Sequence, residues 1–247
     1  MVPRFHRRRR WPLQLAAIFA TSGIVALGFK AWVEDRRSSH LAAEIRALRT
    51  PRADDNWTWC TSTVVRTGGD AAGALKQSYE RGFRAFEVEV RTPADVGPLL
   101  DIARNYPTAH WLLVALENPR GTLGAWVAAA IGPTPGLLDR THPVIHRAED
   151  LPYALRLYPF PSLVYAPTDP APGMALFVRD AGVGVVVVPR ERFTPEIAAA
   201  LVGVGARAYV SGVNDSTDAR QVQQWGAAGV VTDSLPPKVT CRPMLEG

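Results

Sequence analysis

The sequence predicts an α/β chain folded as a (β/α)8 TIM barrel and preceded by a single N-terminal transmembrane helix. Three observations predict it. After Cys60, eight short β-rich runs alternate with helical runs, the succession of parallel strands joined by crossover helices. In the second run Phe86, Val88 and Val90 alternate with Glu87 and Glu89, which makes one face apolar and the other acidic. An open doubly wound sheet, the competing architecture, calls for a Gly-rich phosphate loop after an early strand; Gly182-Val-Gly184 precedes a strand instead.

The N-terminus supplies the membrane element. Arg4 and Arg7 to Arg10 precede an uncharged run from Trp11 to Phe29, with Trp11 and Trp32 at its borders. A run of about 20 apolar residues spans a bilayer, and clustered arginines stay on the cytoplasmic side, sending the remainder across. A cleaved signal peptide is the alternative, because Ala26-Leu-Gly28 offers a small-x-small site. Residues 1–33 are therefore assigned to a basic tail and signal anchor, 34–58 to a stalk and 59–247 to the barrel, which faces outside the cytoplasm. Residues 1–37 hold eight Lys/Arg and two Asp/Glu, leaving 20 basic and 21 acidic residues, a net charge of −1. The basic pI thus reflects membrane topology, and nucleic acid is excluded as a partner.

The elements follow in order. Leu41, Ile45 and Leu48 fall at helical spacing before Thr50-Pro-Arg breaks the pattern. Strands are expected at Ser62–Arg66, Ala85–Val90, Trp111–Leu116, Pro143–His146, Ser162–Tyr165, Gly184–Val188, Ala206–Ser211 and Gly229–Thr232. Helices are expected at 71–81, 95–106, 122–131, 149–157, 173–180, 195–202 and 217–225, with Thr194-Pro195 as an N-cap and first-turn pair. Cys60 and Cys241 flank the folded region. In an exported domain they read as one disulfide, with two buried thiols as the alternative. Closing so long a loop contributes about 4–5 kcal/mol in the chain-entropy model.

The run Ala74-Leu-Lys-Gln-Ser-Tyr-Glu-Arg-Gly-Phe-Arg-Ala-Phe-Glu-Val-Glu89 resembles the segment of glycerophosphodiester phosphodiesterases that leads into their Glu-x-Asp/Glu metal-binding strand. Val210-Ser-Gly-Val-Asn-Asp215 and Trp225-Gly-Ala-Ala-Gly-Val-Val-Thr-Asp233 are similar to the last two strands of that family. The likeness runs from about Val64 to Pro237. It implies a TIM barrel that binds a divalent cation and cleaves a phosphodiester with two histidines. The chemistry departs from the pattern. Arg66 stands where the family's first histidine ends strand one, no His-Asp pair follows Arg91, and in strand three Ala115 is followed by Glu117.

Glu87 and Glu89 are the acids that transfer. Two carboxylates side by side need a cation, a basic partner or protons, and a solvated strand face is the bland alternative. Arg66 is expected to pair with one of them, in the space a metal would take, because its guanidinium fork fits a carboxylate. Arg66, Arg147 and Arg190 are the candidate phosphate contacts, and His146 is the candidate substitute acid/base; Tyr165, Asn214 and Asp233 are expected on the same rim. Three functions remain open. One is a degenerate barrel binding an anionic phospholipid headgroup or an envelope protein, with no cofactor. Another is an active hydrolase holding Ca²⁺ or Mg²⁺ with Glu87, Glu89 and Glu117. The last is a structural envelope docking protein. No Gly-x-Ser-x-Gly elbow and no His/Cys set with metal spacing occurs in the sequence.

Overall fold

A computed structural model describes residues 36–48, 61–66 (as backbone), 70–134, 136–171 and 173–237. Its strands are Thr61–Arg66 (β1), Ala85–Val90 (β2), His110–Ala115 (β3), Thr141–Ile145 (β4), Val164–Tyr165 (β5), Val185–Pro189 (β6), Arg207–Ser211 (β7) and Gly229–Val231 (β8). Each pairs in parallel with its sequence neighbour, and β1 also pairs with β8, so the sheet closes into a barrel. The helices are 36–48 (α1), Ala71–Glu80 (α2), Val96–Ala103 (α3), Pro119–Ala130 (α4), Leu151–Leu157 (α5), Met174–Ala181 (α6), Pro195–Gly203 (α7) and Ser216–Trp225 (α8).

Two apolar layers follow from the period-two alternation of the strands. Phe86, Val88 and Val90 are fully buried on the outer face, against the helices, with Trp111 and Leu113 of β3. Ala85, Leu112, Val144, Val185 and Tyr209 form a separate cluster that fills the lumen. Glu87 and Glu89 share the face of Ala85 and therefore point inward. Burying so much Val, Leu and aromatic surface on both faces, at about 25 cal/mol per Å² of apolar area, is the main force closing the barrel.

Local chemistry sets the helix ends. Asp70, Asn118 and Thr194 each accept a hydrogen bond from a backbone N–H three residues on, which satisfies donors a helix leaves open. Thr194-Pro195 thus caps α7 as the sequence predicts. α6 and α8 stop at Gly182 and Gly226, whose φ of +69° and +113° are left-handed conformations that a Cβ disfavours.

One boundary differs from expectation. Residues 34–58 read as a stalk, yet the compact barrel unit begins at Leu41. Ala42 and Ile45 of α1 are buried in the outer core. Glu44 pairs with Arg156 of α5, and Arg46 lies 4.0 Å from Asp180 of α6. The apolar i, i+3/i+4 stripe that predicts a helix also supplies the face that docks it. No helix among the described residues is long and apolar enough to cross a membrane. The anchor expected in 1–33 lies outside the described residues, as do Cys60 and Cys241.

Candidate functional site

Barrel chemistry gathers at the C-terminal ends of the strands, and here that mouth is acidic. Glu87 and Glu89 project into it from β2, both partly buried. Enclosure in the lumen pushes the Glu87 carboxyl up to about 7, and the charges of Glu89 and Asp233 push the same way. Asp233 arrives from the loop after β8. Its N–H donates to Asn214 Oδ1 at 2.8 Å, and the Thr232 hydroxyl donates to that oxygen at 3.0 Å. Ser234 Oγ donates to the Asn214 carbonyl, while Thr232 Oγ1 accepts from the N–H groups of Ser234 and Leu235. Asn214 is therefore the post on which this loop hangs. Its resemblance-derived place at the end of strand seven becomes a structural role.

The β1–β2 register sets Arg66 opposite Glu89; the Arg66 side chain lies outside what is described. His146 follows β4 and is exposed, and its Nδ1 lies 2.8 Å from the Ala166 carbonyl. Because a carbonyl only accepts, Nδ1 carries a proton there, and in the neutral ring Nε2 is the acceptor. Arg147 is exposed and sits 3.9 Å from Asp150, which Arg120 already holds at 2.8 Å.

Three expected members sit elsewhere. Glu117 is exposed beside Arg91 at 3.9 Å and does not join Glu87 and Glu89. Arg190 turns onto α8, where its guanidinium donates to Asp218 at 2.9 Å and Gln221 at 2.7 Å and lies over the Trp225 ring. Tyr165 is buried in the outer layer against Phe177, with ring centroids 5.7 Å apart, not on the rim. Leu112, Val114, Val164, Val185 and Val187 face the lumen, so Glu117, Tyr165 and Arg190 all have the outward parity.

Among the described residues the carboxylates present fall short of the three-acid set that the resemblance implies for a divalent cation. Ca²⁺ and Mg²⁺ take six or more oxygen ligands counting water. Among the described residues no three His, Cys, Asp or Glu side chains are grouped to hold a metal. The third acid implied by the resemblance is engaged with an arginine instead.

No protein-family model and no curated protein matches the chain by sequence. Solved structures do match its fold. A phosphodiesterase from Oleispira antarctica, in complex with the product sn-glycerol-3-phosphate, superposes with a TM-score of 0.59 at 12% identity, covering 72% of this chain and 94% of that one. A glycerophosphodiester phosphodiesterase from Parabacteroides distasonis gives 0.59 at 14%, covering 74% and 96%. A mandelate racemase/muconate lactonizing enzyme from Roseiflexus gives 0.53 at 16%, covering 70% and 55%. The chain carries the TIM-barrel fold of the glycerophosphodiester phosphodiesterases, a fold that also hosts other chemistries.

Proposed function

We propose that this is a glycerophosphodiester-phosphodiesterase-like barrel without metal-dependent hydrolysis, held outside the cytoplasm by residues 1–33 and binding an anionic phospholipid headgroup at its mouth. The observation that carries the reading is the unfilled acid set: Glu117 faces Arg91 rather than Glu87 and Glu89. Arg66 stands where the family's first histidine would, and losing a general acid or base costs about 10²- to 10⁴-fold in rate. In this reading Arg66 and Arg147 meet the phosphate. A Glu87 carboxyl that keeps its proton donates to a headgroup oxygen, and Glu89 accepts from a hydroxyl. Arg190 has no part, since it turns onto α8, where its Nη2 donates to Asp218 and Gln221.

A second reading, an active phosphoric diester hydrolase, is favoured by Glu87 itself. A carboxyl titrating near 7 is suited to general acid/base work at neutral pH, and the Nε2 acceptor of His146 stands on the same rim. The two are separated with the full chain in detergent, assayed for hydrolysis of glycerophosphocholine with and without Ca²⁺ or Mg²⁺. No turnover, no thermal shift with either ion, and stabilisation by sn-glycerol-3-phosphate are expected. Metal-dependent turnover abolished by Glu87→Ala would replace the first reading with the second.

A further inference from the structure

The opposite end of the lumen holds a polar chain that the mouth does not use. His110 opens β3, and His142, fully buried, is the second residue of β4 on the lumen face of Val144. His142 Nε2 lies 3.0 Å from His110 Nδ1, and His142 Nδ1 lies 2.7 Å from Ser162 Oγ. The two rings stack with centroids 5.3 Å apart at 24°. Ser162 is itself buried, two residues before β5.

That position matters because β5 is the shortest strand. It pairs with β4 at two positions and with β6 at two, as few as at the β8–β1 closure, so the backbone ladder is short on both sides of β5. The side-chain chain ties the entry of β5 to β4 and β3 from within. From outside, Glu44 and Arg46 of α1 brace α5 and α6, the helices on either side of β5 in sequence.

Hydrogen-bond accounting shows what a proton does to this chain. With both imidazoles neutral, each contact needs one proton, and the chain closes with either ring as donor. One added proton is still accommodated, with His142 donating to both neighbours. A second proton sets N–H against N–H between the rings and breaks the link. The surrounding charges oppose even the first. Arg140, beside Asp139, donates to the carbonyls of Tyr106 and Ala109. Arg207 of β7 faces His142. Arg84, at the head of β2, lies over the Tyr79 ring.

We propose that His110, His142 and Ser162 form a proton-operated latch that holds the entry of β5 and releases it in acid, opening the barrel wall at that strand. Burial, seconded by Arg140, lowers His110 to about 4, and burial lowers His142 well below the ordinary histidine range. The closed state therefore resists protons that the opened state, with ordinary imidazoles, accepts below about pH 6.5.

Hydrogen exchange on the full chain tests this, following residues 160–166 between pH 7.5 and 4.5 with intrinsic rates divided out. Protection of that segment should fall by up to about a hundredfold per pH unit below 6.5, tenfold for each histidine, while α8, which opens only with the whole barrel and whose loss the opposing titration of Glu87 offsets, loses less. His110→Gln should reduce the steepness to about tenfold per unit. Ser162→Ala, a milder change, should lower protection of 160–166 already at pH 7.5. Protection independent of pH, equal loss in α8, or wild-type protection in Ser162→Ala would each overturn the latch.

Discussion

The mouth and the floor of this barrel solve the same problem with opposite signs. Both bury ionisable side chains, and burial disfavours the charged form of each. At the mouth this drives Glu87 upward to about 7, helped by Glu89 and Asp233. At the floor it drives His110 down to about 4 and His142 well below the ordinary histidine range. Near neutral pH the two histidines are uncharged and Glu87 is about half ionised. The lesson lies in the linkage. Glu87 binds its proton more tightly folded than unfolded, so the stability it contributes is complete below its ordinary 4.5 and is lost as pH rises through 7. The histidines bind theirs less tightly folded, so stability is lost as pH falls from 6.5 towards 4. Over roughly pH 4.5 to 6.5 the two ends oppose each other.

Breaking one end should unmask the other. The largest effect is expected for Glu87→Gln, which removes the cost of ionising a buried carboxyl. It should stabilise the protein at pH 8 by about 2–3 kcal/mol and steepen its loss of stability in acid; urea unfolding at pH 5 and pH 8 reads both. An unchanged pH profile would mean that Glu87 is ordinarily solvated. His110→Gln acts on the other side. It should recover about 1–2 kcal/mol of the loss between pH 7 and pH 5, leaving a protein whose stability declines more visibly towards pH 7.

Asn214→Ala sharpens the comparison by loosening one charge. It removes the acceptor of both Asp233 N–H and the Thr232 hydroxyl, at a cost of about 1–2 kcal/mol. It should also move the Glu87 titration to lower pH, because Asp233 is no longer held against it; carboxyl NMR shifts report this directly. Arg91→Ala is the smallest. Its partner Glu117 is exposed, and a surface pair is worth about 0–1 kcal/mol. A larger loss, or a change in Glu87 titration, would place Glu117 in the acidic cluster after all.

Much of this architecture is legible in the residues, for reasons that are local. Phe86, Val88 and Val90 against Glu87 and Glu89 define a strand with an acidic lumen face, and the closed sheet puts those faces where the alternation does. Thr194-Pro195 caps a helix because both residues act within one turn. The failures have causes that are just as definite. Reading strand four as starting at Pro143 left His142 outside it, although the alternation His142, Val144, His146 is visible; in the structure Pro143 pairs with Leu113 inside the ladder. Glu117 and Arg190 stand at the right ends of their strands but turn to Arg91 and to α8. α1 shows its apolar stripe in sequence, yet nothing local says that α5 and α6 receive it.

What the residues alone determined is which side chains share a face, since the period of a strand or helix is a property of consecutive backbone dihedrals. Which groups meet was decided by closure and register. Glu87 with Asp233 is a pairing across 146 positions of chain, read from the residue numbers alone, and His142 with Ser162 joins two different strands' ends. Protonation follows from those meetings, because burial and the field of neighbouring charges are sums over groups that come together only when the barrel is complete.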